Sequence, residues 1–140
     1  MMEKTTVGEG RFSLMIRGEA LQEQELAEKL SLIATGLIRK GELLSRVPRI
    51  EATEDVWVYE IPLTAPEGED TALNALLETL LARRNFLEEL TRRYRVVLRL
   101  YVRSNRAHIT YRLMPQTLQK LTEIGLPLEL SSLSWGEFGL

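Results

Sequence analysis

The stretch RVVLRLYVRSNRAHITYRLM, residues 95–114, decides how the rest of the chain is read. Apolar and polar residues alternate strictly through Val96, Leu98, Leu100 and Val102, so the segment is extended with one dry and one wet face. The phase then inverts, and Ala107, Ile109, Tyr111 and Leu113 carry the apolar side. A two-residue turn at Ser104-Asn105 reconciles the two phases. It sets Arg103 across from Arg106, Tyr101 from His108, Arg99 from Thr110 and Val97 from Arg112. The expectation is a β-hairpin. Its wet face carries Arg95, Arg99, Tyr101, Arg103, Arg106, His108, Thr110 and Arg112.

Working outward, the segment RFSLMIRG (11–18) alternates with Phe12, Leu14 and Ile16 on one side, which makes a first strand. ALQEQELAEKL (20–30) reads as a short helix with Leu26, Ala27 and Leu30 inward and Glu25 placed to pair with Lys29. Residues 31–50 read as irregular, with a turn at Lys40-Gly41 and with Pro48 arguing against a central strand. EDVWVYEIPL (54–63) is a strand with Trp57, Tyr59 and Ile61 on one face. A loop follows, then a helix capped by Asp70 or Thr71 with a stripe of leucines. Capping-box spacing between Asn85 and Glu88 predicts a break near Arg84 and a second helical piece to Arg93; one continuous helix is the alternative. PQTLQKLTEI (115–124) is a last helix with Pro115 in its first turn, Leu118, Leu121 and Ile124 inward, and Gly125 as C-terminal cap. LPLELSS (126–132) gives a closing strand with Leu128 and Leu130 inward. Trp135 and Phe138 in the tail would dock on the body or on a partner.

The expected order is β-α-β-α-β-β-α-β in a single α+β domain over residues 11–140, after a flexible leader at residues 1–10. The sheet is mostly antiparallel with helices packed on one face. A length of 140 residues suits one core, and 44% hydrophobic with 27% charged residues is ordinary for a globular protein. There is no run of 18 apolar residues, so no membrane contact is expected, and the lack of cysteine fits a reducing cytoplasm.

Charge is unevenly distributed. Residues 1–82 hold 8 basic and 15 acidic side chains, residues 83–112 hold 9 arginines and 2 glutamates, and the remainder holds 1 lysine and 3 glutamates; the total is −2. An acidic first part and a basic middle can neutralise each other within one fold or between two copies. A purely electrostatic nucleic-acid binder would be basic overall.

Three pieces carry a family resemblance. They are FSLMIRGEALQEQELAEKLSLIATGLIRKGE (12–42), VWVYEIP (56–62) and YRLMPQTLQKLTEIGLPLELS (111–131). On these the chain resembles the bacterial domain-of-unknown-function family 4279 over almost its whole length. It departs from the family pattern in lacking a proline soon after the first helix and in ending on LSSLSWGEF. The resemblance implies a fold and a bacterial origin. It implies no activity and no functional residues.

The chemistry sought is sparse. No cysteine and one histidine leave no His/Cys metal site. ATED and EGED lack EF-hand spacing and read as solvated loops. GLIRKGE lacks the GK[ST] ending of a phosphate loop and reads as a turn. His108, the one imidazole, would be held neutral by neighbouring arginines, but it has no partner group for catalysis in the sequence. No cofactor and no catalytic machinery are expected, and enzymatic activity is left open.

For the arginine face three occupants compete. Glu54, Glu60 and Glu129 from neighbouring strands can pair with the arginines in the sheet. A second copy, most simply in a symmetric dimer, or another protein, can cover a face that includes Met15, Val56, Val58, Val97 and Tyr101. Phosphates of nucleic acid or a small anion can bind Arg99, Arg103, Arg106 and Arg112 with Tyr101 as a stacking platform. The reading favoured is a binding domain acting through protein contacts and self-associating; an immunity or regulatory protein is one form of that role.

Overall fold

A computed structural model describes residues 9–62, 69–106 and 112–137. The elements are β1 (Glu9–Gly18), α1 (Glu23–Leu30), β2 (Gly36–Ile38), β3 (Leu43–Arg46), β4 (Arg49–Glu51), β5 (Asp55–Pro62), α2 (Glu69–Leu81), α3 (Arg84–Arg93), β6 (Arg95–Arg106), α4 (Pro115–Ile124) and β7 (Leu128–Glu137). The fold is α+β, in the expected order, with a mostly antiparallel sheet.

That sheet has the strand order β2-β5-β1-β6-β7. The pairs β2–β5, β5–β1 and β1–β6 are antiparallel, and β6–β7 is parallel. Parallel neighbours need a crossover, and α4 lies within it. The alternation of β1 is realised as read: Phe12, Leu14 and Ile16 are buried. Their neighbours Trp57, Val96, Leu98 and Leu100 complete the dry face of the sheet. Leu26 and Leu30 of α1, four leucines of α2, and Leu87 and Leu90 of α3 close this core from one side.

The hairpin is the main correction. β6 does not turn at Ser104-Asn105 but continues to Arg106. Both of its edges are occupied, by β1 from Arg95 to Arg103 and by β7 from Leu98 onward. Arg99 therefore lies between Ser13 and Glu129 and does not face Thr110; Val97 neighbours Met15 and not Arg112. Arg103 and Arg106 lie on one strand rather than across a turn. Pairing with β7 shifts between Ser104 and Arg106, where two steps along β6 match three along β7. Residues 107–111, which include the rest of the proposed return strand, lie outside the described residues.

Smaller differences follow from packing. Residues 31–50 are not irregular but hold three short strands, with the Lys40-Gly41 turn as expected and Val47-Pro48 turning β3 into β4. The long helical region is two helices, broken at residues 82–83 as the spacing predicts. The cap differs: Arg83, not Asn85, is the N-cap of α3, and it makes no side-chain capping bond. Glu25 pairs with Arg93 instead of Lys29, whose ammonium lies 5.1 Å from the centre of the Phe86 ring.

Helix α4 keeps Leu121 and Ile124 against the core as expected, but not Leu118. Thr117 is buried and Leu118 is exposed. Thr117 Oγ1 accepts a 2.6 Å bond from Asn74 Nδ2, and Lys120 Nζ donates to Asn74 Oδ1 and Glu78 Oε1. This polar seam between α2 and α4 sets the rotation of α4, because buried polar atoms need partners. Leu128 and Leu130 lie on the expected side of the sheet, beside Leu98 and Leu100, but at its edge they stay exposed, Leu130 by 72%. Gly125 caps α4 in the left-handed conformation, as expected.

Candidate functional site: the open face of the sheet

Among the described residues the helices pack toward one face, so the other face carries the odd-numbered residues of β1 and β6. The strand registers arrange it in rows that run across the strands. One row is Gly36, Val58, Met15 and Val97. On one side of it lie Ile38, Val56, Arg17 and Arg95. On the other lie Glu60, Ser13, Arg99 and Glu129, then Pro62, Arg11, Tyr101 and Ser131. An apolar stripe thus runs across the middle of the face between two charged margins.

Two of the three carboxylates, Glu54 and Glu129, meet arginines of the expected face, whereas Glu60 meets Arg11 of β1 instead. Arg95 bonds Glu54, Arg99 Nη2 lies 3.4 Å from Glu129 Oε1, and Arg11 Nη1 lies 3.8 Å from Glu60 Oε2. These are exposed or half-exposed pairs, each contributing about 0–1 kcal/mol. Their larger effect is to cancel charge on the face. A cup of about 210 Å³ opens among Arg11, Ser13, Met15, Val58, Glu60, Arg99 and Tyr101. Ser13 forms its buried floor.

The expected site residues separate. Arg95, Arg99, Tyr101 and Arg103 share this face. Arg106 is the last residue of β6, and Arg112 is exposed beyond it. His108 and Thr110 lie outside the described residues. Sequence reading placed Met15, Val56, Val58 and Val97 on the face but gave no role to Arg11 or Ser13, because their place in the cup follows from register alone. Among the described residues no group of three or more His, Cys, Asp or Glu side chains could hold a metal ion.

A second polar centre was missed altogether. The buried carboxylate of Asp55, at the start of β5, accepts bonds from Leu21 N at 3.0 Å, Arg39 Nη1 at 2.9 Å and Lys40 N at 2.9 Å. Arg39 Nη1 also donates to Leu21 O at 2.8 Å. The Lys40 N–H bond, with the Arg39 and Leu21 bonds, holds the Asp55 carboxyl below the ordinary carboxylate range against the opposing effect of burial. This clamp ties the entry to α1 and the base of the β3–β4 ribbon to β5. The sequence signal is faint: one aspartate at the head of a strand.

No helix among the described residues is long and apolar enough to cross a membrane. No curated protein matches the chain. No solved structure matches it. The family model described as a domain of unknown function (DUF4279) matches residues 8–135. With nearly the whole described fold inside that span, the chain belongs to the DUF4279 family.

Proposed function

We propose that this protein is a cytoplasmic binding domain that acts through protein–protein contacts, with the open sheet face as the docking surface for a partner protein, and that it also self-associates. The observation that carries the docking reading is the row Val58–Met15–Val97, which no element among the described residues covers and which arginine–glutamate pairs border. An apolar centre with a polar rim that includes arginine and tyrosine is how protein interfaces are built. Restraint of another protein, as an immunity or regulatory protein does, is one form of that role.

The test uses the full chain as bait. Met15→Glu places a charge in the middle of the stripe without touching the core. A partner held by the wild type and lost with Met15→Glu supports the reading; a partner retained by both rejects it. Self-association is tested by light scattering, and a single-chain mass at high micromolar concentration rejects it.

The second reading is anion or nucleic-acid binding through Arg99, Arg103, Arg106 and Arg112. Arg103 beside Tyr101 on β6 favours it. Internal neutralisation of Arg99 by Glu129 weighs against it. Titration with single-stranded RNA and with polyphosphate at two salt concentrations decides the matter, since phosphate binding must weaken steeply as salt rises.

A further inference from the structure

Of the exposed large hydrophobic side chains among the described residues, all but Ile33 fall into two groups. Leu43, Leu44, Val47 and Ile50 lie on the β3–β4 ribbon, with Val47 91% exposed. The second group, which includes Leu118, Leu128 and Leu130, lies along α4 and the helix side of β7, with Leu133 on the opposite side of that strand. Single exposed apolar residues need no explanation, but grouped ones mark a contact surface.

The groups sit at opposite ends of the sheet. The ribbon leaves the chain between β2 and β5, at one edge, and β7 forms the other. Four strand spacings separate β2 from β7, about 19 Å. The groups therefore leave each other exposed within one chain.

Their backbones and charges are complementary. Among the described residues β7 pairs only with β6, and β3 only with β4, so each presents an open edge. A two-stranded ribbon is marginal alone and gains from a further strand. Arg46 and Arg49 flank the Val47-Pro48 tip; Arg49 is held by Glu51 at 2.9 Å, which leaves Arg46 as the outward charge of the ribbon, whereas β7 has no basic residue, its Glu129 is held by Arg99, and α4 carries the exposed Glu123 in its last turn. Ribbon against ribbon would oppose arginines. Ribbon against β7 sets Arg46 toward the acidic end of α4 at Glu123 and leucine and valine beside leucine. The Asp55 clamp fixes the ribbon's base, where Gly41 N bonds Ala52 O and Ala52 N bonds Glu42 O, both at 2.8 Å.

We infer that the β3–β4 ribbon of one copy docks along the β7 edge of a second copy, by strand addition. The contact joins two different patches and closes as a two-fold dimer when two copies exchange ribbons reciprocally. This rests on the self-association part of the proposed function and not on what occupies the open face, which it leaves free for a partner.

Light scattering on the full chain tests it. The wild type should show at least twice the single-chain mass. Val47→Asp on the ribbon and Leu130→Lys on β7 should each give the single-chain mass at the same concentration, with unchanged melting because both side chains are exposed. Arg46→Glu is a second ribbon variant should Val47→Asp fold poorly. Mixed in equal amounts, the Val47→Asp and Leu130→Lys proteins should return to twice the mass, because the mixture keeps one intact ribbon and one intact β7. If either variant alone keeps the wild-type mass, or the mixture stays at the single-chain mass, the inference is overturned while self-association stands. A wild type of single-chain mass overturns both.

Discussion

Leu14 and Met15 are adjacent in one strand and live in different environments. Leu14 points into the helix-covered core and is fully buried; Met15 points onto the open face and is half-buried. The same contrast runs through β6, where Leu98 is buried and Val97 is not. The dry face is held by many apolar contacts that exclude water. The open face is held by strand pairing beneath it and by weak ion pairs above. Stability is therefore stored on one side of the sheet, and freedom to bind is kept on the other.

The largest expected effect tests that division directly. Leu14→Ala should cost about 2–5 kcal/mol, because it removes a buried side chain and leaves a cavity. Met15→Ala should cost about 1 kcal/mol or less. Urea unfolding of both variants compares them; equal losses would break the distinction between the faces.

Next comes Gly18, at the end of β1. A Cβ there would overlap the Tyr94 ring, which packs against the core. Gly18→Ala should cost about 1–3 kcal/mol by overpacking. Much of that loss should disappear in a Tyr94→Leu background, since the two sites share one contact. A cost unchanged in that background would place its origin elsewhere.

Asp55 lies where the ribbon meets the sheet, and its effect is read from pH. Its folded carboxyl is held below the ordinary value by the Lys40, Arg39 and Leu21 donors. Its contribution is complete above the unfolded value of about 3.9 and is lost as pH falls through the lower folded value. Asp55→Asn should be less stable near neutrality and should lose less stability on acidification. Parallel stability curves for the two proteins through that acid range would remove Asp55 as the cause.

The smallest effect belongs to the rim of the open face. A double-mutant cycle on Glu54 and Arg95 should return about 0–1 kcal/mol, declining with added salt. A markedly larger, salt-insensitive coupling would make that margin part of the structural frame rather than an adaptable binding rim.

Much of this was legible in the linear chain, for identifiable reasons. Alternation in β1, β5 and β6 reports which side of each strand is dry, so Trp57, Leu14 and Leu98 could be placed inward. Pro115 and Gly125 bound α4 through backbone preferences that act locally. The pairing of Glu54 with Arg95 and of Glu129 with Arg99 could be anticipated because charge and face were both readable. What misled was the inverted phase after Val102. Alternation says that a segment is extended but not which strand lies beside it. The outward Leu118 was equally hidden, because the polar seam of Asn74, Thr117 and Lys120 joins residues 43 and 46 positions apart.

By itself the sequence determined the fold class, the element order, the dry side of the central strands and the absence of cysteine chemistry. These depend on side-chain period, local backbone preference and composition. Only the tertiary structure decided that β6 lies between β1 and a parallel β7, that Arg99 rests between Ser13 and Glu129, and that Asp55 gathers Leu21, Arg39 and Lys40. Those outcomes depend on which distant segments meet, and that choice is settled by the packing of the whole core.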